Sequence, residues 1–213
     1  MLIFGGILLV ILAYLLGSIP FGLVLTRLFT SIDIRQAGSG NIGATNVRRL
    51  AGNLLGFLTL LGDVLKGTLP ALLALALFRG ESSELVETVT ASVAVAAFAG
   101  HLFPVYLGFK TGGKGVATAL GGCLVLSPPA LLMFLLAFVL MVKSVRRVSV
   151  GSLTGAAILV PAVGLFSGSV PYTSGTLIMV LFIFIRHREN LRRIMAGTEP
   201  TIDQKPDQDP AGS

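Results

Sequence analysis

Residues 116–142 read VATALGGCLVLSPPALLMFLLAFVLMV, and whether this run crosses a membrane once or twice decides the architecture of the whole chain. A spanning helix needs about 20 apolar residues, and Pro128-Pro129 splits the run into halves that are each short for that length. Charge placement separates the two readings. If the run crosses twice, Arg35, Arg48, Arg49, Lys110, Lys114, Lys143, Arg146, Arg147, Arg186, Arg188, Arg192 and Arg193 collect on one side, while the other keeps Arg79 beside Glu81, Glu84 and Glu87. A single crossing would put Lys143, Arg146 and Arg147 opposite the basic groups before them. The positive-inside rule favours two crossings and assigns the basic side to the cytoplasm.

Outward from this run, apolar stretches recur at 2–25, 54–78, 86–107, 150–167 and 172–186. Together they predict an all-α integral membrane protein, a compact bundle of about seven transmembrane helices with its N-terminus outside and its C-terminus cytoplasmic. Composition agrees: 54% of the 213 residues are hydrophobic, 12% are charged, and mean hydropathy is +0.88, outside the range of soluble domains. The apolar start lacks the basic beginning and A-x-A exit of a cleaved signal peptide, so it is read as a retained first helix. The bundle fills 1–197 as one polytopic membrane domain. Residues 198–213, rich in Pro, Asp and Gln, are expected to be a disordered cytoplasmic tail. The net charge of +6 sits in short loops and not on a soluble face, so membrane lipids, not nucleic acid, are its expected partner. The lone Cys123 lies in an apolar run and excludes an internal disulfide.

Three polar islands fall on the basic side. The first, Gly38-Ser-Gly-Asn-Ile-Gly-Ala-Thr-Asn46 leading to Arg49, is a loop whose glycines permit positive-φ turns. Its Ser39, Asn41, Thr45 and Asn46 supply neutral hydrogen-bonding groups suited to phosphate. The second, Phe109-Lys-Thr-Gly-Gly-Lys-Gly115, nearly spells a nucleotide-binding P-loop, but Gly115 stands where Ser or Thr should hold magnesium, and the segment follows a membrane helix. An anion site survives that rejection: glycine amides at Gly112 and Gly113 beside Lys114, at the start of a helix near Val116. In the third, His187-Arg-Glu-Asn190, His187 and Asn190 share a helix face. Arg186, Arg188, Arg192 and Arg193 read as a basic stripe against lipid headgroups.

Asp63 and Lys66 stand one turn apart inside the second apolar run, where ionisable groups are costly. They read equally as functional residues and as a mutual ion pair, with either member also placed to brace the glycine loop from beneath, and His101 reads as a residue that orients a neighbouring loop. No dense carboxylate cluster calls for a metal, and no cofactor is expected.

The segments GSGNIGATNVR (38–48), GHLFP (100–104), GGKGVAT (112–118) and RHREN (186–190) resemble, in order, the motifs of the bacterial acyl-phosphate:glycerol-3-phosphate acyltransferase family, over residues 1 to about 197. The resemblance implies a seven-helix enzyme of the bacterial inner membrane, with its active site at the cytoplasmic face and no obligate protein partner. It implies acyl transfer from acyl-phosphate to glycerol-3-phosphate, giving 1-acyl-glycerol-3-phosphate. Carried over by motif, Ser39, Arg49, Lys114, His187 and Asn190 are the catalytic candidates. Gly40, Asn41, Thr45, Asn46, Gly112 and Gly113 are the substrate-binding ones, with Asp63, Lys66 and His101 in support. Thr111 reads as a one-residue insertion relative to the family pattern. The His-x4-Asp pair of other glycerolipid acyltransferases is absent, since Tyr106 and Arg192 stand five residues after the two histidines. The base is therefore either His187 or a substrate phosphate. The competing reading is a transporter or flippase for a phosphorylated metabolite, whose site would instead lie near the bilayer midplane.

Overall fold

The computed structural model describes residues 2–110 and 112–204; the insertion read at Thr111 and the tail from 205 onward lie outside them. Among the described residues the chain is helical with no strand. Helix α1 (Leu2–Gly17) stops at Ser18-Ile19-Pro20 before α2 (Phe21–Phe29), because Pro20 lacks an N–H and disfavours helical geometry at Ile19. A loop over 30–43 leads to the short α3 (Ala44–Ala51), followed by α4 (Asn53–Leu77) and α5 (Ser83–Leu102). After the glycine-rich segment come α6 (Val116–Leu126), α7 (Pro128–Val145), α8 (Val148–Ser167), α9 (Val170–Arg186) and α10 (Arg188–Met195).

Among the described residues, five stretches are long and apolar enough to cross a membrane: Leu2–Phe29, Asn53–Leu77, Ser83–Leu107, Pro128–Val145 and Val148–Ser167. A sixth follows if α9 and α10, bent by 55°, count as one. The fourth apolar run departs from expectation. At 11 residues α6 is about 16 Å long, roughly half of a 30 Å hydrocarbon layer. Its start is set by Gly115 at φ 83°. Both ends of the 116–142 run nevertheless lie on one side of the bundle. Lys114 donates to Asn190, Asn190 donates to Glu199, and Arg147 donates to the Glu199 carbonyl, at 2.6, 2.6 and 2.9 Å. Helices α6 and α7 are thus a hairpin.

Without a hydrophobic drive between helices in lipid, close backbone approach holds such a bundle. A Cβ on Gly67 of α4 would stand 2.2 Å from the Thr118 carbonyl oxygen of α6, and one on Gly121 of α6 would stand 2.1 Å from that of Val64. The α4–α6 contact is therefore reciprocal and admits no side chain. The core between helices gathers Phe98, Phe134, Leu159, Met179 and Ile183. Exposed Ile3, Phe4, Ile7, Leu132, Leu136 and Leu140 face outward as a lipid-contacting surface. Some threonines inside helices return their hydroxyls to carbonyls four residues back, as Thr26 does to Gly22 and Thr59 to Leu55, both at 2.8 Å, which satisfies these hydroxyls within an apolar layer. The buried hydroxyls of Thr118 and Thr176 have no such partner among the described residues.

Candidate functional site

The loop over 30–43 would be floppy without an internal brace, and Asn46 supplies it. Its Nδ2 donates to the carbonyls of Ile34, Ala37 and Asn41 at 2.9–3.2 Å, and its Oδ1 accepts from the Ser39 amide at 3.0 Å. Asn46 is 2% exposed, and its polar atoms are committed to the loop. Here the expectation of a substrate contact is corrected: the side chain shapes the loop that presents Ser39. Gly38 and Gly40 take φ values of 61° and 66°, the left-handed region where glycine carries no steric penalty. The Gly40 N–H donates to the Ala37 carbonyl at 3.1 Å, so it too serves the turn. Asn41 Oδ1 accepts from the Gly43 amide at 2.8 Å.

Gly112 and Gly113 likewise differ from expectation. The Gly113 N–H donates to the His101 carbonyl at 3.1 Å. The carbonyls of Gly112 and Gly113 accept from Arg186, whose Nε lies 3.0 Å from the Gly113 oxygen. Arg186 thus clamps the turn instead of joining a lipid-facing stripe. Gly115, Val116 and Ala117, at the opening of α6, line the cavity, and the first amides of a helix lack intrahelical acceptors.

Lys114 leaves the clamped turn and its Nζ donates to Asn190 Oδ1 at 2.6 Å. The Asn190 amide nitrogen donates to Glu199 Oε1 at 2.6 Å, Ser149 donates to the same oxygen at 2.6 Å, and Arg193 Nε reaches Oε2 at 2.7 Å. Asn190 is therefore a bridge that aims Lys114. Glu199, missed by sequence reasoning, is buried within the segment expected to be disordered from 198 onward. Residues 198–204 instead form a strap. Arg49 donates to the Thr201 carbonyl and Arg48 to that of Ile202, both at 3.2 Å, and Arg146 pairs with Asp203. The ordering has a physical cause: Arg48, Arg49, Arg146, Arg147 and Arg193 offer donors, and backbone carbonyls and two carboxylates of this segment accept from them. A lone Glu nine residues after Asn190, amid arginines, was the available signal.

His187 is buried, and its Nδ1 lies 2.8 Å from the Ile183 carbonyl. A carbonyl only accepts, so Nδ1 carries the proton and Nε2 keeps the lone pair. All five catalytic candidates, Ser39, Arg49, Lys114, His187 and Asn190, border one cavity of about 720 Å3. Asn41, Thr45, Asn46, Asp63 and His101 also line it, while Gly40, Gly112, Gly113 and Lys66 do not. Leu60, Val116, Leu120, Phe134, Leu135 and Phe138 make its other wall apolar. Leu60 and Leu135 are 43% and 40% exposed, so this wall reaches the lipid-contacting surface.

Electrostatics distinguish the residues around the polar wall. Burial pushes the Lys114 ammonium down to about 8, against the pull of Glu199 and with the push of Arg193; Glu189 and Arg49 contribute less. Burial also lowers Arg49, which Glu199 opposes, though a guanidinium stays charged. For Glu199 burial acts upward, but hydrogen bonds from Ser149, Asn190 and Arg193 outweigh it and hold the carboxyl below its usual range. A half-buried cluster of cations with one internal carboxylate is suited to bind an anion of two or more charges.

Comparison with known proteins adds to this geometry. The family model described as glycerol-3-phosphate acyltransferase matches residues 7–197. The glycerol-3-phosphate acyltransferase of Syntrophotalea carbinolica is 50% identical over 187 residues, 88% of this chain and 92% of that protein. That of Anaeromyxobacter dehalogenans (strain 2CP-C) is 50% identical over 199 residues, 92% and 97% of the two chains. Two crystal structures of PlsY (YgiH), an integral membrane glycerol 3-phosphate acyltransferase, superpose with TM-scores of 0.86 and 0.84 at 39% and 38% identity. Each alignment covers 92% of this chain and 95% of that one; one structure is the glycerol 3-phosphate form and the other the lysophosphatidic acid form. Matched from near its first residue to the end of α10, and helical like those structures, the chain belongs to the glycerol-3-phosphate acyltransferase family.

Proposed function

We propose that the protein transfers a fatty acyl group from an acyl-phosphate to glycerol-3-phosphate, giving 1-acyl-glycerol-3-phosphate and inorganic phosphate in the first step of phospholipid synthesis. The observation that carries this reading is one cavity with two walls: Arg49, Lys114 and Arg193 on one side, Leu60, Leu120 and Phe134 on the other. A phosphate ester and a fatty chain need those two environments within one molecule's length. Acyl-phosphate is a mixed anhydride with a good leaving group, so the enzyme's work is to position the glycerol hydroxyl and neutralise phosphate charge. The hydroxyl oxygen bonds the acyl carbon, the bond from that carbon to phosphate oxygen breaks, and the hydroxyl proton passes to His187 Nε2 or to a phosphate oxygen. Lys114, held by Asn190, and Arg49 meet the phosphates; Ser39 and Thr45 offer hydroxyls to their oxygens.

The same reading takes the protein as a multi-pass protein of the bacterial inner membrane, with seven crossings, the N-terminus outside and the site at the cytoplasmic face. The gathering of Arg48, Arg49, Lys114, Arg146, Arg147 and Arg193 around one cavity mouth supports that orientation. The test is transfer of labelled acyl groups to glycerol-3-phosphate by purified protein in detergent, with acyl-phosphate, acyl-CoA or no donor. Product from acyl-phosphate alone is expected. No product from either donor in folded protein overturns the enzyme reading in favour of substrate transport.

A pH profile follows from Lys114. In the free protein the ammonium that meets phosphate is lost as pH rises through about 8, so kcat/KM for glycerol-3-phosphate should fall above that pH. Bound phosphate favours the charged form, so kcat should hold to higher pH. Lys114→Arg, whose charge does not titrate there, should abolish the alkaline fall.

A further inference from the structure

Below the glycine turn lies a chain of buried ionisable groups to which the proposed reaction assigns no step. Lys66 Nζ stands 2.9 Å from Asp63 Oδ1, and His101 Nδ1 stands 3.4 Å from the same oxygen. All three side chains are at most 4% exposed. Lys66 Nζ also donates to the Ile19 carbonyl at 2.9 Å, where α1 breaks before α2, and lies 5.8 Å from the centre of the Phe21 ring. On the far side of the imidazole there is no gap. A Cβ on Gly113 would meet His101 Nε2 at 1.9 Å, and one on Gly112 would meet the Leu102 carbonyl oxygen at 1.9 Å. The turn rests directly on the end of α5, and Arg186 donates to its Gly112 and Gly113 carbonyls.

We infer that Lys66, Asp63 and His101 form a positioning relay that fixes the height of the Gly112-Gly113 turn, and through it the burial of Lys114 at the cavity wall. The polar atoms support positioning over proton transfer. His101 Nδ1 lies 3.4 Å from Asp63 Oδ1 without a hydrogen-bond partner among the described residues, and Nε2 faces the Gly113 backbone, whose N–H already serves the His101 carbonyl. The imidazole acts as a spacer of fixed thickness. Asp63 holds its tilt, and Lys66 compensates the carboxylate so that it need not seek water. The break at Ile19 is tied to the same lysine, which links the helix leading into the first phosphate loop with the turn that carries the cation.

This inference rests on the acyl-transfer reading only for its kinetic consequence, so its test includes a readout that needs no turnover. The full-length protein in detergent, with lysines 13C-labelled at Cε, is titrated by NMR, and the Lys114 resonance is assigned from its loss in Lys114→Arg. In the parent the resonance should titrate near 8. In His101→Ala the turn sinks and Lys114 gains solvent, so its midpoint should rise by about one unit or more. In the activity assay kcat/KM should drop about tenfold or more, with the alkaline fall moved upward and the unfolding temperature reduced little. Should that variant fail to fold, Asp63→Asn together with Lys66→Gln removes both charges without stranding either, and should give the same displacement. An unmoved Lys114 titration in a folded variant overturns the relay, whatever the activity. A displaced Lys114 titration in the variant, together with a parent that transfers no acyl group, overturns the acyl-transfer reading and leaves the relay standing.

Discussion

Replacing Lys114 by Ala should lower kcat/KM for glycerol-3-phosphate by about 100-fold to 1,000-fold while leaving the protein folded. Removal of one preorganised donor aimed at developing negative charge typically has that effect, and here the donor is cationic. Its aim is unusually well defined. The turn before it is clamped by Arg186 and His101, and its Nζ is held on Asn190, which is itself fixed by Glu199. Truncation leaves Asn190 Oδ1 without its donor and the phosphates facing Arg49 and Arg193 alone. The charge loss is local and no apolar contact in the core is removed, so the unfolding temperature should change little. Steady-state kinetics beside a thermal melt check both statements. Activity within tenfold of the parent would remove Lys114 from the phosphate site.

Replacing His187 by Ala should lower kcat by at least about 100-fold, with a smaller change in KM for glycerol-3-phosphate. A general base contributes about 100-fold to 10,000-fold, and the imidazole has the features of one. The Ile183 carbonyl fixes Nδ1 as the donor nitrogen, which turns the lone pair of Nε2 away from the helix it caps. Burial beside Lys114 disfavours a second proton on the ring, so it stays neutral and able to accept. Turnover near that of the parent at saturating substrate would assign the hydroxyl proton to a substrate phosphate instead. The two outcomes separate the two bases left open by the sequence.

Much of the bundle was legible because apolar length and basic loops are strong signals in a membrane protein. The doubled proline at 128–129 marks the boundary between two helices, since Pro128 opens α7, and groups beyond the two ends of the run meet around Asn190 and Glu199. Length was less legible at α6, whose 11 residues cover about half a span. In the site, residue identity identified the participants but not their partners. Asn46 and Asn190 read as ligand-binding amides, yet one is committed to loop carbonyls and the other to Lys114 and Glu199. Glycines at 112 and 113 read as amide donors, whereas the turn needs them because backbone and imidazole lie where a Cβ would go. Glu199 sits in a stretch whose composition reads as unstructured; order there comes from arginines distant in sequence, at 48, 49, 146 and 147.

The apolar cavity wall, bordered by the half-exposed Leu60 and Leu135, bears on how concentration is counted in acyl transfer. A fatty donor that reaches the site through that wall travels in two dimensions and never dissolves in water. Its relevant concentration is the fraction of amphiphile molecules that it represents, so inert detergent dilutes it even when its molarity is constant. The water-soluble acceptor has no such dependence. On the acyl-transfer reading proposed above, the protein would work as an interfacial catalyst toward one substrate and as an ordinary solution enzyme toward the other.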